Sequence, residues 1–292
     1  MVETDEGQRA ARPNFARDAI FASVLTIAVP ASIFSGRFVT DYTGSGSHRE
    51  IVDVSTYPWS AIGKVGDRVE VCTGVVIGPN QWLTAAHCLY NKRASRFVAA
   101  ESVHFLLGYA RGEYRVHRVA SRYMIPPTFD PTKVTTFHDD WAILYTNEPF
   151  PSDVKPLRLT SETPPLGKAV KTGGYAAERL HMMTADQHCR VKAISSNGKL
   201  ISHDCVVHHG DSGGPLLSAD GDDKGLILGI NVLAYSRLEE LRDQSREGGV
   251  AVSAATITEF LASQVVGSIE SEGIGKGLST RLTMESLRSP TR

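Results

Sequence analysis

One six-residue stretch of the chain places a serine among three glycines: Gly210-Asp211-Ser212-Gly213-Gly214-Pro215. Glycine adopts backbone conformations that other residues avoid, so this stretch predicts a tight turn that leaves the Ser212 side chain accessible. Two further motifs lie upstream, Thr84-Ala85-Ala86-His87-Cys88 and Asp140-Trp141-Ala142-Ile143-Leu144. A histidine, an aspartate and a serine thus occur in that order, each in a short and distinctive context.

These three residue types meet the needs of a serine nucleophile. A serine hydroxyl is a weak nucleophile at neutral pH, so it needs an imidazole to accept its proton and a carboxylate to orient that imidazole. The motifs therefore predict Ser212 as the nucleophile, His87 as the general base and Asp140 as the orienting acid. The backbone N–H groups of Gly210 and Ser212 are predicted to form an oxyanion hole, which stabilises the negative oxygen of a tetrahedral intermediate.

The three motifs together resemble those of trypsin-like serine proteases with the chymotrypsin fold, of the bacterial secreted type. The similarity spans residues 51–261 and includes three shorter segments, Pro58-Trp59-Ser60-Ala61-Ile62, Gly173-Gly174-Tyr175 and Gly229-Ile230. The resemblance implies an all-β fold of two antiparallel six-stranded β-barrels with a C-terminal helix, expected at residues 255–265. It also implies a serine endopeptidase that works through an acyl-enzyme intermediate and without a cofactor.

Asp139 is the alternative to Asp140 as the acid of this site. Successive residues of a strand point to opposite faces, so only one of the two can comfortably reach His87. The family pattern places the acid directly before an apolar residue and an alanine, which favours Asp140.

The expected organisation along the chain begins with a signal peptide. An apolar stretch at residues 19–34 follows three arginines and contains a small-residue cleavage pattern, although nearby acidic residues leave a retained anchor as the alternative. Four strands are predicted from β-branched and aromatic content at residues 71–77, 103–107, 114–119 and 141–145. The expected parts are a signal peptide (1–31), a linker or propeptide (32–50), a protease domain (51–262, with barrels at about 51–150 and 151–262) and a polar flexible tail (263–292).

The four cysteines form two local pairs, Cys72 with Cys88 and Cys189 with Cys205. The first pair resembles the family's disulfide beside the catalytic histidine, and the even count predicts disulfides and a secreted or periplasmic destination. A zinc site is the alternative for the second pair, because nearby histidines add imidazole ligands. The compact ligand spacing of a zinc site is missing, so no metal is expected. The histidines concerned are His188, His203, His208 and His209.

Charge and composition narrow the choice of partners. The chain has 292 residues with 31 Lys and Arg against 32 Asp and Glu, a formal net charge of −1, which gives no reason to expect nucleic acid. The expected partner is a protein or peptide substrate, and membrane contact is expected only if the N-terminal apolar segment is retained. Coiled-coil heptads are missing from the sequence, so the chain is expected to be a monomer.

Substrate preference depends on three positions that the resemblance implies. Val206 would form the floor of the pocket for the P1 side chain, the one before the scissile bond, and Ala234 and Gly249 would form its walls. An apolar floor favours apolar P1 side chains. Asp204 is the alternative floor residue, and it would favour Lys or Arg.

Two further expectations concern proteolytic activation of the chain and the two histidines before the serine turn. In the family a new amino terminus often pairs with the acid before the serine, here Ile51 with Asp211. The segment after Ile51 is short and lacks the double glycine of the family pattern, which counts against this pairing. His208 and His209 either contact the substrate or remain solvated.

Two other functions stay open. One is a protease-fold binding protein without turnover, and the other is a selective processing protease or an esterase. The first usually loses a triad residue or blocks the pocket, whereas all three triad residues and the glycines are present here.

Overall fold

A computed structural model describes residues 49–66, 71–195, 197–221, 225–234 and 248–273. These residues form two large, mainly antiparallel β-sheets, a two-stranded sheet of Tyr90–Asn91 and Arg96–Phe97, and a C-terminal helix. The helix α1 spans Ala254–Gly273. In chain order the strands are β1 (Glu50–Ile51), β2 (Ile62–Gly66), β3 (Val71–Gly78), β4 (Gln81–Thr84), β5 (Tyr90–Asn91), β6 (Arg96–Phe97), β7 (His104–Leu107), β8 (Val116–Val119), β9 (Arg122–Met124), β10 (Ala142–Tyr145), β11 (Arg158–Leu159), β12 (Ala169–Gly174), β13 (Thr184–Ile194), β14 (Leu200–His203), β15 (Pro215–Ser218), β16 (Leu226–Ala234) and β17 (Gly249–Ser253).

The second sheet closes into a six-stranded barrel. Its hydrogen-bonded order is β13, β12, β15, β16, β17 and β14, and β14 pairs back onto β13. Closure removes the exposed edges that an open sheet would present to other chains. β1 pairs antiparallel with the first residues of β13, and β11 pairs in parallel with β16.

The first sheet is a half-barrel with the order β8, β7, β2, β3, β4, β10 and β9. β8 and β9 lie at opposite edges but are separated in sequence only by Ala120 and Ser121, and Ser121 N–H donates to Tyr145 O at 2.7 Å. Two residues span only about 7 Å, so the sheet must curve strongly to bring its edges this close. No hydrogen-bonded ladder joins β8 to β9 in the described ranges, which distinguishes this sheet from the closed second barrel.

The predicted all-β fold class is confirmed: β3 covers one predicted strand, β7, β8 and β10 overlap the other three, and α1 covers the predicted helix. The second barrel has the six strands expected of each barrel, whereas the first sheet has seven because the short β9 adds to its edge. The helix continues beyond the expected end at residue 265, so residues 263–273 of the predicted flexible tail are helical. This stretch contains no proline to stop a helix. The signal peptide, residues 32–48 of the linker and the tail after residue 273 lie outside the described residues. No helix in the described ranges is long and apolar enough to cross a membrane.

Aromatic packing joins the helix to the strand that follows Asp140. Trp141 is buried and meets Phe260 of α1 edge to face, with ring centroids 5.1 Å apart. Within the first sheet, Trp82 stacks on Phe105 at 5.0 Å. Such pairs add about 0.5–1.5 kcal/mol to the stabilisation from apolar burial, so α1 braces the backbone next to Asp140.

Both disulfides form as expected, Cys72–Cys88 and Cys189–Cys205, each across 16 residues. The second joins β13 to the segment after β14. Because its two sulfurs are bonded to each other, Cys189 and Cys205 are not available as thiolate ligands, and the alternative zinc site loses its sulfur donors.

The Cys189–Cys205 disulfide is expected to stabilise the second barrel. Replacing both cysteines with alanine should lower the free energy of unfolding by about 3 kcal/mol, because the bond closes a loop of this length in the unfolded chain. Urea unfolding followed by tryptophan fluorescence measures the change. A loss below about 1 kcal/mol would mean that the strand pairing of β13 and β14 holds this region without the disulfide.

Candidate active site

Strand pairing brings His87 and Asp140 together. His87 lies in a 3-10 turn after β4, and Asp140 ends a 3-10 turn shortly before β10. β4 and β10 pair antiparallel with Thr84 opposite Ala142, so the two turns meet at the same end of the sheet. Asp140 Oδ2 lies 2.6 Å from His87 Nδ1, and Asp140 Oδ1 accepts the His87 backbone N–H at 2.8 Å. These two contacts fix both the ring and the backbone of His87.

Asp140 rather than Asp139 faces His87. Asp140 is 1% exposed, and both of its carboxylate oxygens contact His87. Asp139 instead accepts a hydrogen bond from Thr128 Oγ1 at 2.5 Å and lies 3.3 Å from His138. A buried carboxylate next to Nδ1 favours the tautomer that carries its proton there, which leaves Nε2 to act as a base.

The turn around Ser212 depends on two glycines with positive φ, Gly210 at 98° and Gly213 at 81°. A Cβ at Gly213 would overlap Thr84 Oγ1 and Thr73 O, and a Cβ at Gly210 would overlap Tyr175 O. Both positions therefore need glycine for its backbone freedom and for its small volume. The turn packs against first-sheet residues on one side and second-sheet residues on the other.

The backbone N–H groups of this turn divide into two sets. Asp211 donates to His208 O at 3.1 Å, Gly213 to Asn231 O at 2.8 Å and Gly214 to Asp211 O at 2.8 Å. No backbone carbonyl of the described residues accepts the N–H of Gly210 or Ser212. These two amides are the donors that remain available to a ligand oxygen.

The Cys72–Cys88 disulfide lies between the serine turn and His87. Thr73 N–H donates to Ser212 O at 2.8 Å, and Cys88 Sγ is 3.8 Å from the same oxygen. A ring nitrogen of His87 lies within 4.8 Å of both disulfide sulfurs. The structure thus brings His87, Asp140 and Ser212 to one place at the junction of the two sheets, with His87 and Ser212 partly exposed.

Asp211 has a partner that the sequence reasoning did not anticipate. Arg49 Nη1 lies 2.8 Å from Asp211 Oδ2, and Arg49 Nη2 lies 2.9 Å from Oδ1, with side chains that are 2% and 1% exposed. Burial raises the pKa of Asp211, and the Arg49 guanidinium and the His208 N–H oppose this rise. Ile51, the residue that the family pattern would pair with Asp211, instead pairs its backbone in β1 with Thr184 of β13 and is 51% exposed. The guanidinium already contacts both oxygens of the carboxylate.

The three predicted pocket positions lie in different surroundings. Val206 is buried, and its backbone is held by Asp186 Oδ2 at 2.9 Å and by Arg49 Nη1 at 2.6 Å. A Cβ placed at Gly249 would lie 2.5 Å from Val207 Cγ2 and 3.0 Å from His203 Cε1, so these two side chains occupy the space beside Gly249. Of Ala234 only the backbone is described, and it pairs with Gly249.

Asp204, the alternative floor residue, is engaged elsewhere. Its Oδ1 accepts the Arg190 N–H at 2.6 Å, its Oδ2 lies 3.3 Å from Lys192 Nζ, and its side chain is partly exposed. These contacts give the carboxylate a surface role.

A buried hydrogen-bond chain fixes the tautomer of His203. Thr172 Oγ1 donates to Pro215 O at 2.9 Å, so it accepts from Asn231 Nδ2 at 2.7 Å. Asn231 Oδ1 is then the acceptor for His203 Nε2–H at 3.0 Å. His203 Nδ1 is buried without a hydrogen-bond partner in the described part of the chain. Burial lowers the pKa of His203 to about 4, so the ring is neutral at pH 7 and Nδ1 carries a lone pair.

The two histidines before the turn contact a neighbouring loop. His208 Nε2 lies 3.2 Å from Glu178 Oε1, and its backbone N–H donates to Asp211 Oδ2 at 2.8 Å. His209 O accepts the Ala177 N–H at 2.6 Å. The loop at residues 177–179 therefore supports the approach to the serine turn.

Sequence reasoning missed Arg49 and the placement of His203. The period-two pattern of β14 contained a signal for His203, because it shares a face with the buried Ile201. Arg49 had no comparable signal, since it stands alone before a two-residue strand and only the fold brings it to Asp211.

Gly213→Ala tests how tightly the serine turn is built. The variant should have no detectable peptidase activity and should unfold at a lower temperature. The reason is that the new Cβ overlaps Thr84 and Thr73 and also strains the backbone. Gly112→Ala is the matched control: φ at Gly112 is 94°, but a Cβ there meets nothing within 4 Å. Strain alone costs about 1–2 kcal/mol, so equal thermal shifts in the two variants would contradict the packing explanation.

Comparisons with known proteins agree with this geometry. A glutamyl endopeptidase from Bacillus licheniformis is 28% identical over 175 residues, which is 59% of this chain and 53% of the relative. The serine protease SP24D of Anopheles gambiae is 30% identical over 166 residues, 50% of this chain and 58% of the relative. The chain thus spans just over half the length of these curated relatives.

Solved structures share the fold at low sequence identity. A Glu endopeptidase in complex with MPD superposes with a TM-score of 0.63 at 18% identity, covering 75% of this chain and 97% of the other. The VesB protease of Vibrio cholerae gives a TM-score of 0.57 at 18% identity, covering 74% and 67%. The family model described as Trypsin matches residues 47–242, and the chain therefore belongs to the trypsin family.

Proposed function

We propose that the protein is a serine endopeptidase in which Ser212 is the nucleophile, His87 the general base and Asp140 the acid that orients His87. The observation that carries this proposal is the 2.6 Å contact between His87 Nδ1 and Asp140 Oδ2, next to the disulfide that also contacts the Ser212 backbone. Membership in the trypsin family supports the same reaction.

The reaction follows from these positions. With Nδ1–H held by Asp140, Nε2 of His87 removes the proton from Ser212 Oγ, which attacks the carbonyl carbon of the peptide bond. The carbonyl oxygen becomes negative and accepts hydrogen bonds from the backbone N–H groups of Gly210 and Ser212. His87 then gives its proton to the leaving amine, and an acyl-enzyme remains. A water molecule, activated by His87, hydrolyses this ester and restores Ser212.

The catalytic proposal is tested with a fluorophosphonate probe and a peptide substrate. The parent should be labelled, whereas Ser212→Ala should not react and Asp140→Asn should lose roughly 10⁴-fold in kcat, as in the general Ser-His-Asp scheme. Ser55→Ala, at an exposed serine, serves as the control. A parent that is labelled no faster than Ser212→Ala would favour the binding-protein alternative. A parent that is labelled and hydrolyses an ester substrate, but no peptide, would favour the esterase.

We further propose an acidic P1 preference, with Glu ahead of apolar side chains. Two observations favour it over the apolar preference expected from Val206. A relative of this chain is named a glutamyl endopeptidase. In addition, the imidazole of His203 lies directly beside Gly249, an expected pocket wall, and its Nδ1 has no partner in the described ranges. An unpaired buried polar atom costs about 1–3 kcal/mol, and a polar P1 group would remove that cost.

A peptide panel with Glu, Gln, Leu, Phe or Arg at P1 tests this preference. We expect Glu to exceed Leu by about 10–100-fold in kcat/KM, since a charged hydrogen bond contributes about 1.5–3 kcal/mol. His203→Leu should remove most of the difference, and His117→Leu, on β8, should leave it unchanged. Faster cleavage after Leu or Phe would restore the apolar preference, and faster cleavage after Arg would point to the nearby Asp186.

The pH dependence of selectivity gives an independent check on His203. The ring is neutral above its pKa of about 4, so binding a carboxylate at Nδ1 requires the uptake of one proton. The ratio of kcat/KM for Glu over Gln should therefore fall as the pH rises from 6 to 9, by up to about tenfold per pH unit. A ratio that is flat with pH, or that rises, would mean that His203 does not supply a proton to the P1 group.

The proposed setting of this activity is outside the cytoplasm. Two disulfides are formed in the described chain, and such bonds persist in oxidising compartments. Protein or peptide substrates, a secreted or periplasmic location and a monomeric state are the corresponding proposals.

A further inference from the structure

We propose that Arg49 is a positioning residue that holds the oxyanion turn and the pocket floor in their active arrangement, in place of a newly formed amino terminus. The proposal rests on the function proposed above, because it assigns Arg49 an effect on the amides of Gly210 and Ser212. Arg49 precedes Ile51, so a chain that is cut to expose Ile51 would no longer carry this guanidinium.

The guanidinium N–H groups of Arg49 donate hydrogen bonds to three separate segments of the chain. Nη1 and Nη2 hold the two oxygens of Asp211, as described above. Nη1 also donates to Val206 O at 2.6 Å. Nε donates to Thr184 Oγ1 at 3.1 Å, and Nη2 donates to Thr184 O at 2.9 Å. One planar side chain thus links β13, the pocket floor and the serine turn.

Asp211 transmits this hold to the oxyanion amides. It lies between Gly210 and Ser212, and its Oδ2 also accepts the His208 N–H at 2.8 Å. A Cβ at Gly174 would lie 2.5 Å from Asp211 Oδ1, so the carboxylate is enclosed from that side as well. A buried carboxylate without its partner would either take up a proton or turn towards water, and the flanking amides would move with it.

A guanidinium and an amino terminus differ in their titration. An α-amino group ordinarily loses its proton near pH 8, whereas arginine stays charged throughout the range in which proteins are folded. Among the described residues, the charged or titratable groups that face Asp211 are Arg49 and His208, and His208 in turn faces Glu178. His208 and Glu178 are the same in parent and variants, so a difference between pH profiles reports on residue 49.

The test compares Arg49→Met and Arg49→Lys with the parent, using kcat, KM and fluorophosphonate labelling. Arg49→Met should lower kcat/KM by at least about 100-fold, the effect of losing an oxyanion donor. Arg49→Lys should recover part of that loss at neutral pH and lose it again at alkaline pH, because a lysine, unlike an arginine, can give up its proton in the alkaline range. The parent should show no such alkaline loss. Arg115→Met, which breaks the exposed pair with Asp153, should change kcat/KM by less than about twofold.

The outcomes separate this proposal from the catalytic one. If the parent itself does not react with the probe, the endopeptidase proposal fails. If the parent reacts and Arg49→Met reacts equally well, or if Arg49→Lys has the parent's pH profile, the role of Arg49 is overturned. Circular dichroism identifies a variant that fails to fold, and the pH profile of the folded Arg49→Lys variant then decides. Mass spectrometry of the labelled protein should find Arg49 in the active chain; a labelled form that starts at Glu50 or Ile51 contradicts the proposal.

Discussion

The buried ion pair of Arg49 and Asp211 is the interaction on which the arrangement of the serine turn depends. Two charges at 2.8–2.9 Å, both withdrawn from water, are stable only because the geometry is bidentate and the remaining donors are satisfied by Val206 and Thr184. Removing one partner of such a pair typically costs about 3–5 kcal/mol. The pair therefore sets the position of the backbone between Gly210 and Ser212, where the proposed oxyanion donors lie.

Thr73 makes the second connection, from the first sheet to the same turn. Its N–H donates to Ser212 O, its hydroxyl donates to Gly210 O, and that hydroxyl also accepts the Tyr175 N–H. The serine turn is thus held by Arg49 from one side and by β3 from the other. Since His87 is placed by the same sheet as Thr73, this connection holds Ser212 and His87, the proposed nucleophile and base, in register across the two sheets.

The proposed substrate pocket combines apolar side chains with one buried imidazole. Val206 was the expected floor and Gly249 an expected wall, and the side chains that lie beside Gly249 are Val207 and the neutral, buried ring of His203, whose Nδ1 has a lone pair. A neutral imidazole in such a place responds differently to Glu and Gln at P1. Binding a carboxylate there requires the uptake of one proton from water, whereas binding an amide does not. The same hydrogen-bond chain that fixes its tautomer ends at Pro215, directly after the serine turn.

The sequence by itself determined the fold class, the two disulfides and the pairing of His87 with Asp140, because these follow from short motifs and from local alternation along strands. Strand alternation allowed only one of Asp139 and Asp140 to reach His87, and the family pattern, with the acid directly before an apolar residue and an alanine, selected Asp140. Only the tertiary structure decided the partner of Asp211 and the position of His203. Arg49 and Asp211 are 162 residues apart in sequence, and such a pair leaves no local pattern. It is created only when β1 packs on β13 and carries the guanidinium under the serine turn.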